Sequence, residues 1–421
     1  MKIKTKRVSP EFALSIKKPK HKKPMKPWLL LRALIRILAI PDLLATRFSY
    51  TESRMELAGE GPYLILMNHS SFIDLKIASK MLFPKPYSIV STWDGMVGKE
   101  WLMRRIGCIP TQKFVSDVSL ITDMLHAIKK EKISVLMYPE AGYSFDGTSV
   151  ALPQKMGALL KKLNVPVVTI ITDGAFLRDP LYNCLQLRKV KVKAHMKCLL
   201  TPEELKEKSI EEIDEMLNNA FSFDNFANQY QNKIEVTEQF RADGLERILY
   251  KCPACGAEGD MIGKGIHLTC QKCGKRYELT TLGRINALSG ETEFPHIPHW
   301  FNWQRECTRS EIENSDYKME WDVNIGVLAD YKALYMIGEG KLTHDKEGFH
   351  LSGCDGKVEY LHPASASYSL NADYFWYEIG DVICIGNKER LYYCFPKGKS
   401  LVTKARFATE EIYKMIHASA E

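Results

Sequence analysis

The segment YLILMNHSSFID, residues 63–74, runs from a continuous apolar stretch through a polar loop into the start of a helical pattern. A short apolar run of this kind is typical of a strand that is buried on both faces, as in a parallel sheet covered by helices. Similar runs, YSIV, SVLMY and VPVVTIIT, alternate with helical patterns at residues 71–82, 117–131 and 153–163. This alternation predicts a layered α/β domain with a mostly parallel sheet.

A histidine and an aspartate stand out in the first segment. His69 leaves the end of the predicted strand, and Asp74 follows five residues later in the first turn of the next predicted helix. A carboxylate held against one ring nitrogen fixes the tautomer of the imidazole and stabilises the imidazolium that forms when the other nitrogen takes a proton. The pair therefore has the chemistry of a general base. The alternative from this motif alone is a pair that only caps the helix.

Three further segments follow in order. IGCIPTQK (106–113) ends a short strand on a cation, YPEAGYS (138–144) follows the run SVLM, and VPVV (165–168) opens another apolar run. Together with NHSSFID (68–74), they resemble the four blocks of the glycerolipid acyltransferase family, which are N-H-x4-D, G-x-I-x-x-x-R, F-P-E-G-T-R-S and V-P-V. This resemblance, to PlsC-like 1-acyl-sn-glycerol-3-phosphate acyltransferases and other lysophospholipid acyltransferases, extends over residues 28–220.

The resemblance implies a membrane-associated O-acyltransferase of phospholipid biosynthesis. His69 would activate the free hydroxyl of a lysophospholipid for direct attack on the thioester of acyl-CoA or acyl-acyl carrier protein, with Asp74 orienting the ring. No acyl-enzyme is implied, so Cys108 is interpreted as a small strand residue. The positions that the resemblance assigns to substrate binding are Asn68, Lys113, Glu140, Gly142, Tyr143 and Ser144.

Two departures from the family pattern concern the acceptor. Lys113 lies where the family carries an arginine that holds the acceptor's phosphate, and a lysine contacts phosphate without bidentate geometry. In the third block, Ala141-Gly142-Tyr143 replaces Gly-Thr-Arg, so the second phosphate-facing arginine is missing. The leading acceptor is 1-acyl-sn-glycerol-3-phosphate, and a lysolipid without a terminal phosphate is the alternative.

The basic charge of the chain is concentrated at its start. Residues 1–26 contain ten Lys or Arg and one acidic residue, whereas the remainder contains 48 basic and 50 acidic residues. Composition alone predicts that residues 1–27 form a basic disordered tail. Residues 28–50 then predict an amphipathic helix with Arg32 and Arg36 on one face, too interrupted to span a bilayer and suited to its surface. We therefore expect contact with anionic lipids at the cytoplasmic face, as a peripheral or monotopic protein.

Four of the eleven cysteines form two C-x-x-C pairs, and the other seven are scattered, which indicates a reducing compartment and not a disulfide framework. The pairs predict a zinc ribbon over residues 248–284, with a rubredoxin-like iron site as the alternative. The proposed ligands are Cys252, Cys255, Cys270 and Cys273. Zinc would have a structural role, since a closed shell of four thiolates leaves no position for catalysis.

The sequence therefore predicts three folded units: an acyltransferase domain at residues 51–235, the ribbon, and an antiparallel β domain at residues 300–421 that is closed by a helix. A PH-like barrel is one arrangement of the last domain. The alternative is that the protein is not an enzyme but a catalytically silent scaffold, which binds lipid or uses the ribbon to bind nucleic acid. Intact His69 and Asp74 favour the enzyme. Because the chain after residue 26 carries a slight negative charge, we expect no nucleic acid partner.

Overall fold

Three β-sheets organise the chain, and the computed structural model describes residues 2–115, 118–153, 155–314 and 317–418. The strands are β1 (Thr5–Arg7), β2 (Ser49–Ser53), β3 (Leu64–Met67), β4 (Tyr87–Thr92), β5 (Cys108–Thr111), β6 (Ser134–Met137), β7 (Val167–Asp173), β8 (Lys193–Leu200), β9 (Met261–Lys264), β10 (His267–Cys270), β11 (Arg276–Leu279), β12 (Ile285–Ala287), β13 (Met319–Leu328), β14 (Leu334–Asp345), β15 (Gly348–Gly353), β16 (Val358–Pro363), β17 (Asn371–Trp376), β18 (Gly380–Gly386) and β19 (Leu391–Pro396). The helices are α1 (Pro10–Ser15), α2 (Leu29–Ala45), α3 (Met55–Ala58), α4 (Asp74–Leu82), α5 (Trp93–Met96), α6 (Glu100–Arg105), α7 (Val118–Leu125), α8 (Met156–Leu163), α9 (Ala175–Arg178), α10 (Pro202–Glu207), α11 (Ile210–Ala220), α12 (Asn225–Gln231), α13 (Ile297–Asn314) and α14 (Val402–Ala418).

The first sheet has the strand order β2-β8-β7-β3-β6-β4-β5. Strands β7, β3, β6, β4 and β5 are all parallel, whereas β8 runs antiparallel to β7 and pairs with β2 in parallel. The predicted α/β domain with a mostly parallel sheet is therefore confirmed. Its central strand is apolar at every position because both faces are covered: Leu64 and Leu66 pack into one core, and Ile65 and Met67 into the other.

Helices α4, α7 and α8 occupy the three segments with a predicted helical period. Helix α7 continues into a π-helical turn at His126–Lys130. Asp117 and Gln154, which the sequence assigns to the second and third of these helices, lie outside the described residues.

The second half of the chain contains the two smaller sheets. Strands β9 to β12 form an antiparallel sheet next to the four clustered cysteines. Strands β13 to β19 form the antiparallel C-terminal sheet in the order β16-β15-β14-β13-β19-β18-β17, and α14 packs against α13 and β17. The predicted C-terminal β domain with a terminal helix is thus confirmed, while its similarity to a PH-like barrel stays a prediction. Residues 315–316 and 419–421 of the predicted domain lie outside the described residues.

The halves of the protein share one hydrophobic core. Phe145 and Phe176 of the first half belong to the same cluster as Tyr250 and Leu268 of the ribbon and Val402 of α14. The sequence division into separate units did not anticipate this continuity. It means that the C-terminal sheet is positioned relative to the first sheet by packing and not by a linker.

The basic N-terminal segment is ordered along this assembly, so the prediction of a disordered tail is wrong. β14 is twelve residues long, and β15 pairs only with its second half, which leaves Leu334–Met336 with an open edge. β1 pairs in parallel with that edge. Further along, Lys22 pairs with Glu100 at 2.8 Å. Composition failed here because it does not show which backbone edges and acidic groups the folded body offers.

Within the described residues, no helix is both long enough and apolar enough to cross a membrane.

Deleting residues 1–8 should speed hydrogen exchange of the Leu334–Met336 amides by about tenfold or more, because the N–H of Leu334 donates to the carbonyl of Lys4 at 2.9 Å. Hydrogen-exchange mass spectrometry of this peptide measures the effect. The matched control replaces Lys2, Lys4 and Lys6 by Ala, which removes charge and keeps the backbone pairing. Unchanged exchange after the deletion would contradict the described β1.

Candidate active site

The parallel strands deliver the sequence blocks to one edge of the first sheet. Asn68 and His69 follow β3, Lys113 comes shortly after β5, and Glu140 follows β6. Because the carboxyl ends of parallel strands meet at the same edge, residues far apart in sequence converge there. Such a crevice at the carboxyl ends is where ligands bind in open α/β sheets.

The structure brings His69 and Asp74 into hydrogen-bonding contact, with Nδ1 of the imidazole 3.0 Å from Oδ2 of the carboxylate. The same oxygen accepts the backbone N–H groups of Ser70 and Ser71 at 3.0 and 3.1 Å. Burial raises the pKa of Asp74 to about 7, and these two N–H donors act in the opposite direction. Asp74 is the first residue of α4, so the turn between β3 and α4 folds around its carboxylate.

Two tyrosines enclose the imidazole of His69. The ring centroid of Tyr138 lies 4.0 Å from that of His69, and the centroid of Tyr143 lies 3.8 Å away, both with nearly parallel planes. The side chain of His69 is only 19% exposed. Burial, aided by the nearby ammonium of Lys113, holds the pKa of His69 well below its usual value. A neutral imidazole with Nδ1 engaged by Asp74 leaves Nε2 as the nitrogen that can accept a proton.

Glu140 and Ser144 contact the backbone of His69. Oε2 of Glu140 accepts the N–H of His69 at 2.8 Å, and Oε1 accepts the N–H of Val150 at 3.3 Å. The N–H of Ser144 donates to the carbonyl of His69 at 3.3 Å. Burial raises the pKa of Glu140 to about 8. In this structure both residues position the histidine, whereas the sequence assigned them to substrate binding.

Asn68 also has a positioning role. Its Oδ1 accepts the backbone N–H of Thr172 at 2.9 Å and the hydroxyl of the same residue at 3.1 Å, which fixes the end of β3 against β7. Its amide Nδ2 donates to Oγ of Ser70 at 3.1 Å. Gly142 differs from the other predicted residues, because no atom of the described residues beyond Gly142 and its two chain neighbours lies within 4 Å of the place where a side chain would begin. There is therefore open space beside the third block.

The C-terminal half contributes residues to this region that the sequence did not indicate. The ring of Tyr374 packs against Phe145 at 4.7 Å between centroids, and the guanidinium of Arg406 lies 4.7 Å from the same ring. Burial raises the pKa of Tyr143, and the charges of Asp74 and then Asp373 add to this effect, so the carboxylate of Asp373 is near the stacked rings. No local pattern marks these residues, since they follow the third block by more than 200 positions.

A comparison with protein-family models agrees with this geometry. The family described as Acyltransferase matches residues 47–173, which include His69, Asp74, Lys113 and Glu140. The chain contains an acyltransferase domain. This domain contains the mixed sheet. The C-terminal antiparallel sheet and the cluster of four cysteines lie outside it, in the second half of the chain.

Among solved structures, the chain is similar to PlsC, the 1-acyl-sn-glycerophosphate (LPA) acyltransferase from Thermotoga maritima. The identity is 15% and the TM-score is 0.34, over 45% of this chain and 76% of that chain. No curated protein matches the chain.

Outside the acyltransferase domain, the four predicted metal ligands lie together. Their sulfur atoms are all within 4.8 Å of one another, with Sγ of Cys252 3.8 Å from that of Cys273 and Sγ of Cys255 3.7 Å from that of Cys270. A tetrahedral zinc with Zn–S bonds of about 2.3 Å separates its sulfurs by about 3.8 Å. The cluster therefore fits a zinc ion with a closed shell, whose role would be to hold the ribbon together.

Protein purified under reducing conditions should contain one zinc per chain by elemental analysis, and Cys255→Ser should lose most of it because three thiolates bind the ion much more weakly. Cys307→Ser, in a half-buried cysteine outside the cluster, is the matched control and should keep the metal. Iron in place of zinc would support the rubredoxin-like alternative, and metal-free wild-type protein would refute the site.

Proposed function

We propose that the protein transfers a fatty acyl group from an acyl thioester, acyl-CoA or acyl-acyl carrier protein, to the free hydroxyl of a lysophospholipid. The observation that carries this proposal is the neutral, enclosed imidazole of His69, held by Asp74 at the carboxyl edge of an acyltransferase domain. A base of this kind contributes about 10² to 10⁴ to the rate of such a reaction.

In this mechanism Nε2 of His69 takes the proton from the acceptor hydroxyl as the oxygen attacks the thioester carbonyl. The new C–O bond forms, the C–S bond breaks, and the imidazolium returns the proton to the departing thiolate. Asp74 stabilises the positive ring between these two transfers. The reaction needs no cysteine nucleophile, and burial raises the pKa of the Cys108 thiol to about 12, which keeps that residue protonated.

The lysophospholipid class follows from the position of Lys113. Its half-buried ammonium is close enough to lower the pKa of His69, so an acceptor whose hydroxyl meets Nε2 can place its phosphate near this cation. Tyr143 supplies an aromatic ring in place of the second cation that the family pattern contains. Lysophosphatidate and lysophospholipids with a larger headgroup both belong to this class.

A membrane surface is the proposed site of action. Arg32 and Arg36 of α2 face the protein, where their Nη1 atoms donate to the carbonyls of Pro84 and Lys80 at 2.7 and 3.0 Å. Because the arginines anchor one face of the helix to the body, most of its leucines lie on the opposite face, and Leu30 is 82% exposed, whereas Leu43 is buried. Together with Trp28 and two residues of α6, the exposed side chains of α2 form an apolar surface. Its exposed members are Trp28, Leu29, Leu30, Leu34, Ile37, Leu38, Ile40, Leu44, Trp101 and Leu102.

A surface of this kind suits the boundary between headgroups and acyl chains, where tryptophan is also favoured. Water is a poor solvent for so many neighbouring leucines, and a monomeric protein rarely exposes a large apolar patch without a partner. We infer a peripheral location on the cytoplasmic face, since the scattered cysteines suit a reducing compartment.

His69→Ala should reduce acyl transfer by roughly 10² to 10⁴ while the protein remains folded, because the base is lost and its neighbours stay in place. The assay incubates labelled acyl-CoA with a panel of lysophospholipids and identifies products by mass spectrometry. His195→Ala, in an exposed histidine on β8 of the same domain, is the matched control. Retention of most activity by His69→Ala would refute the assigned role.

The double variant Leu30→Ser with Leu38→Ser should bind anionic vesicles at least roughly tenfold more weakly, since each leucine that enters an apolar phase contributes on the order of 1.5 kcal/mol or more. Vesicle co-sedimentation measures the partition coefficient. Leu187→Ser with Leu361→Ser removes two other leucines that are also exposed, at 61% and 69%, and should leave binding unchanged. Equal effects of the two pairs would argue against α2 as the membrane contact.

A further inference from the structure

An unsatisfied carboxylate of the C-terminal sheet lies near the acyltransferase centre. Oδ1 of Asp373, on β17, is inaccessible to solvent and has no hydrogen-bond partner in the described structure. Burial raises the pKa of this carboxyl to about 6, and the charge of Asp94 adds to that effect, while Lys113, the backbone N–H of Tyr374 and Arg406 act to lower it. A buried charged oxygen without a donor is unfavourable to the fold, so its presence calls for a role beyond packing.

Lys113 is the complementary group on the acyltransferase side. Its charge acts on His69 and on Asp373, yet within the described part of the chain its ammonium forms neither a hydrogen bond nor an ion pair. A cleft separates the two halves at this point. It is lined on one side by Lys113 and Phe114, and on the other by Asn371, Ser369 and His362.

Asp373 does not itself line the cleft, but it lies on the same strand as a residue that does. Asn371 lines the cleft, and Asp373 follows two positions later on the same strand, so both side chains point to the same face of β17. The hydroxyl of Ser369 is not available as a donor to Asp373, since it donates to Oε1 of Glu410 at 2.6 Å. Within the described residues, the buried Oδ1 of Asp373 is an acceptor on this face that has no donor.

The backbone after Asp373 departs from regular strand geometry. Pairing with β18 is interrupted between Asp373 and Trp376, and Phe375, Tyr377 and Glu378 have left-handed φ values of 50°, 46° and 64°. The hydroxyl of Tyr377 also donates to the carboxylate of Asp94, which lies just after β4 at the carboxyl edge of the first sheet. The connection between β17 and β18 is thus attached to the sheet edge that carries His69.

We propose that the C-terminal sheet completes the acceptor site, with Lys113 contacting the phosphodiester of a lysophospholipid and Asp373 accepting a hydrogen bond from an ammonium or hydroxyl group beyond it. The inference rests on the proposed function and narrows its acceptor. One cation and one carboxylate oxygen without a donor match a headgroup that carries a single negative charge followed by a donor.

The same pair of charges selects against two other headgroups. A terminal phosphate with nearly two negative charges would meet one lysine and an uncompensated carboxylate, where the family pattern offers two arginines. A choline headgroup carries positive charge but no hydrogen-bond donor, so Oδ1 of Asp373 would remain unsatisfied. The acceptor class is therefore a lysophospholipid of the ethanolamine or glycerol kind.

The experiment measures kcat/KM for lysophosphatidylethanolamine, lysophosphatidylglycerol, lysophosphatidylcholine and lysophosphatidate with one acyl chain and one acyl-CoA. Wild-type protein should favour the ethanolamine or the glycerol headgroup over choline by about tenfold or more, and these two arms distinguish an ammonium from a hydroxyl donor. Asp373→Asn should lower transfer to the favoured headgroup by roughly 10- to 100-fold and change choline acylation little. Lys113→Ala should weaken every phosphate-bearing acceptor.

Two controls separate recognition from stability. Asp322→Asn removes an exposed carboxylate from the same sheet and should leave selectivity unchanged. Asp373→Asn should melt no lower than wild type, because Oδ1 has no partner to lose, and Asp373→Ser provides a second variant with the same expected change in selectivity.

A loss that is equal for all four acceptors, or no loss at all, would assign Asp373 to domain packing and overturn the inference. Preference of the wild-type protein for lysophosphatidate or lysophosphatidylcholine would overturn it as well, although the proposed function would stand. Wild-type protein that acylates none of the four would contradict the proposed function and this inference with it.

Discussion

The hydrogen bond from Nδ1 of His69 to the buried carboxylate of Asp74 is the interaction on which the rest of the site depends. It requires a strand that ends in the core, a turn whose N–H groups of Ser70 and Ser71 converge on one oxygen, and a helix that begins at Asp74. Glu140 then fixes the backbone of the histidine from the next strand. The sheet, the turn and the third block together present Nε2 to a substrate.

The second half of the protein packs against the domain that carries that nitrogen. The C-terminal sheet shares a core with the acyltransferase domain. The cysteine ribbon contacts helix α14, which packs on that sheet, because Glu258 of the ribbon pairs with Lys404 of the helix at 2.7 Å. Zinc in the ribbon would act at a distance from the chemistry, by holding the surface that carries Asp373. Helix α2 exposes most of its leucines on the side away from the body, and in the proposed membrane-bound state this face would meet the bilayer that holds the acceptor.

Local patterns were sufficient for features that depend on neighbours in sequence. The apolar strand before His69, the spacing to Asp74 and the two cysteine pairs each encode their own geometry. Features that join distant segments were not predictable in this way. The pairing of residues 5–7 with β14 depends on an edge left open more than 300 positions later, and the approach of Asp373 to Lys113 depends on packing between two sheets. Glu140 and Asn68 were found as motif residues, but their backbone contacts needed the fold.

The central claim is direct transfer by a general base, without a covalent acyl-enzyme. Mixing the protein with acyl-CoA while recording intact protein mass and free thiol release tests it most directly. The account predicts an unmodified protein mass and thiol release only after lysophospholipid is added, in a ratio of one thiol to one diacyl product. A burst of thiol equal to the enzyme concentration before the acceptor is added, with the mass of one acyl group on the protein, would contradict it.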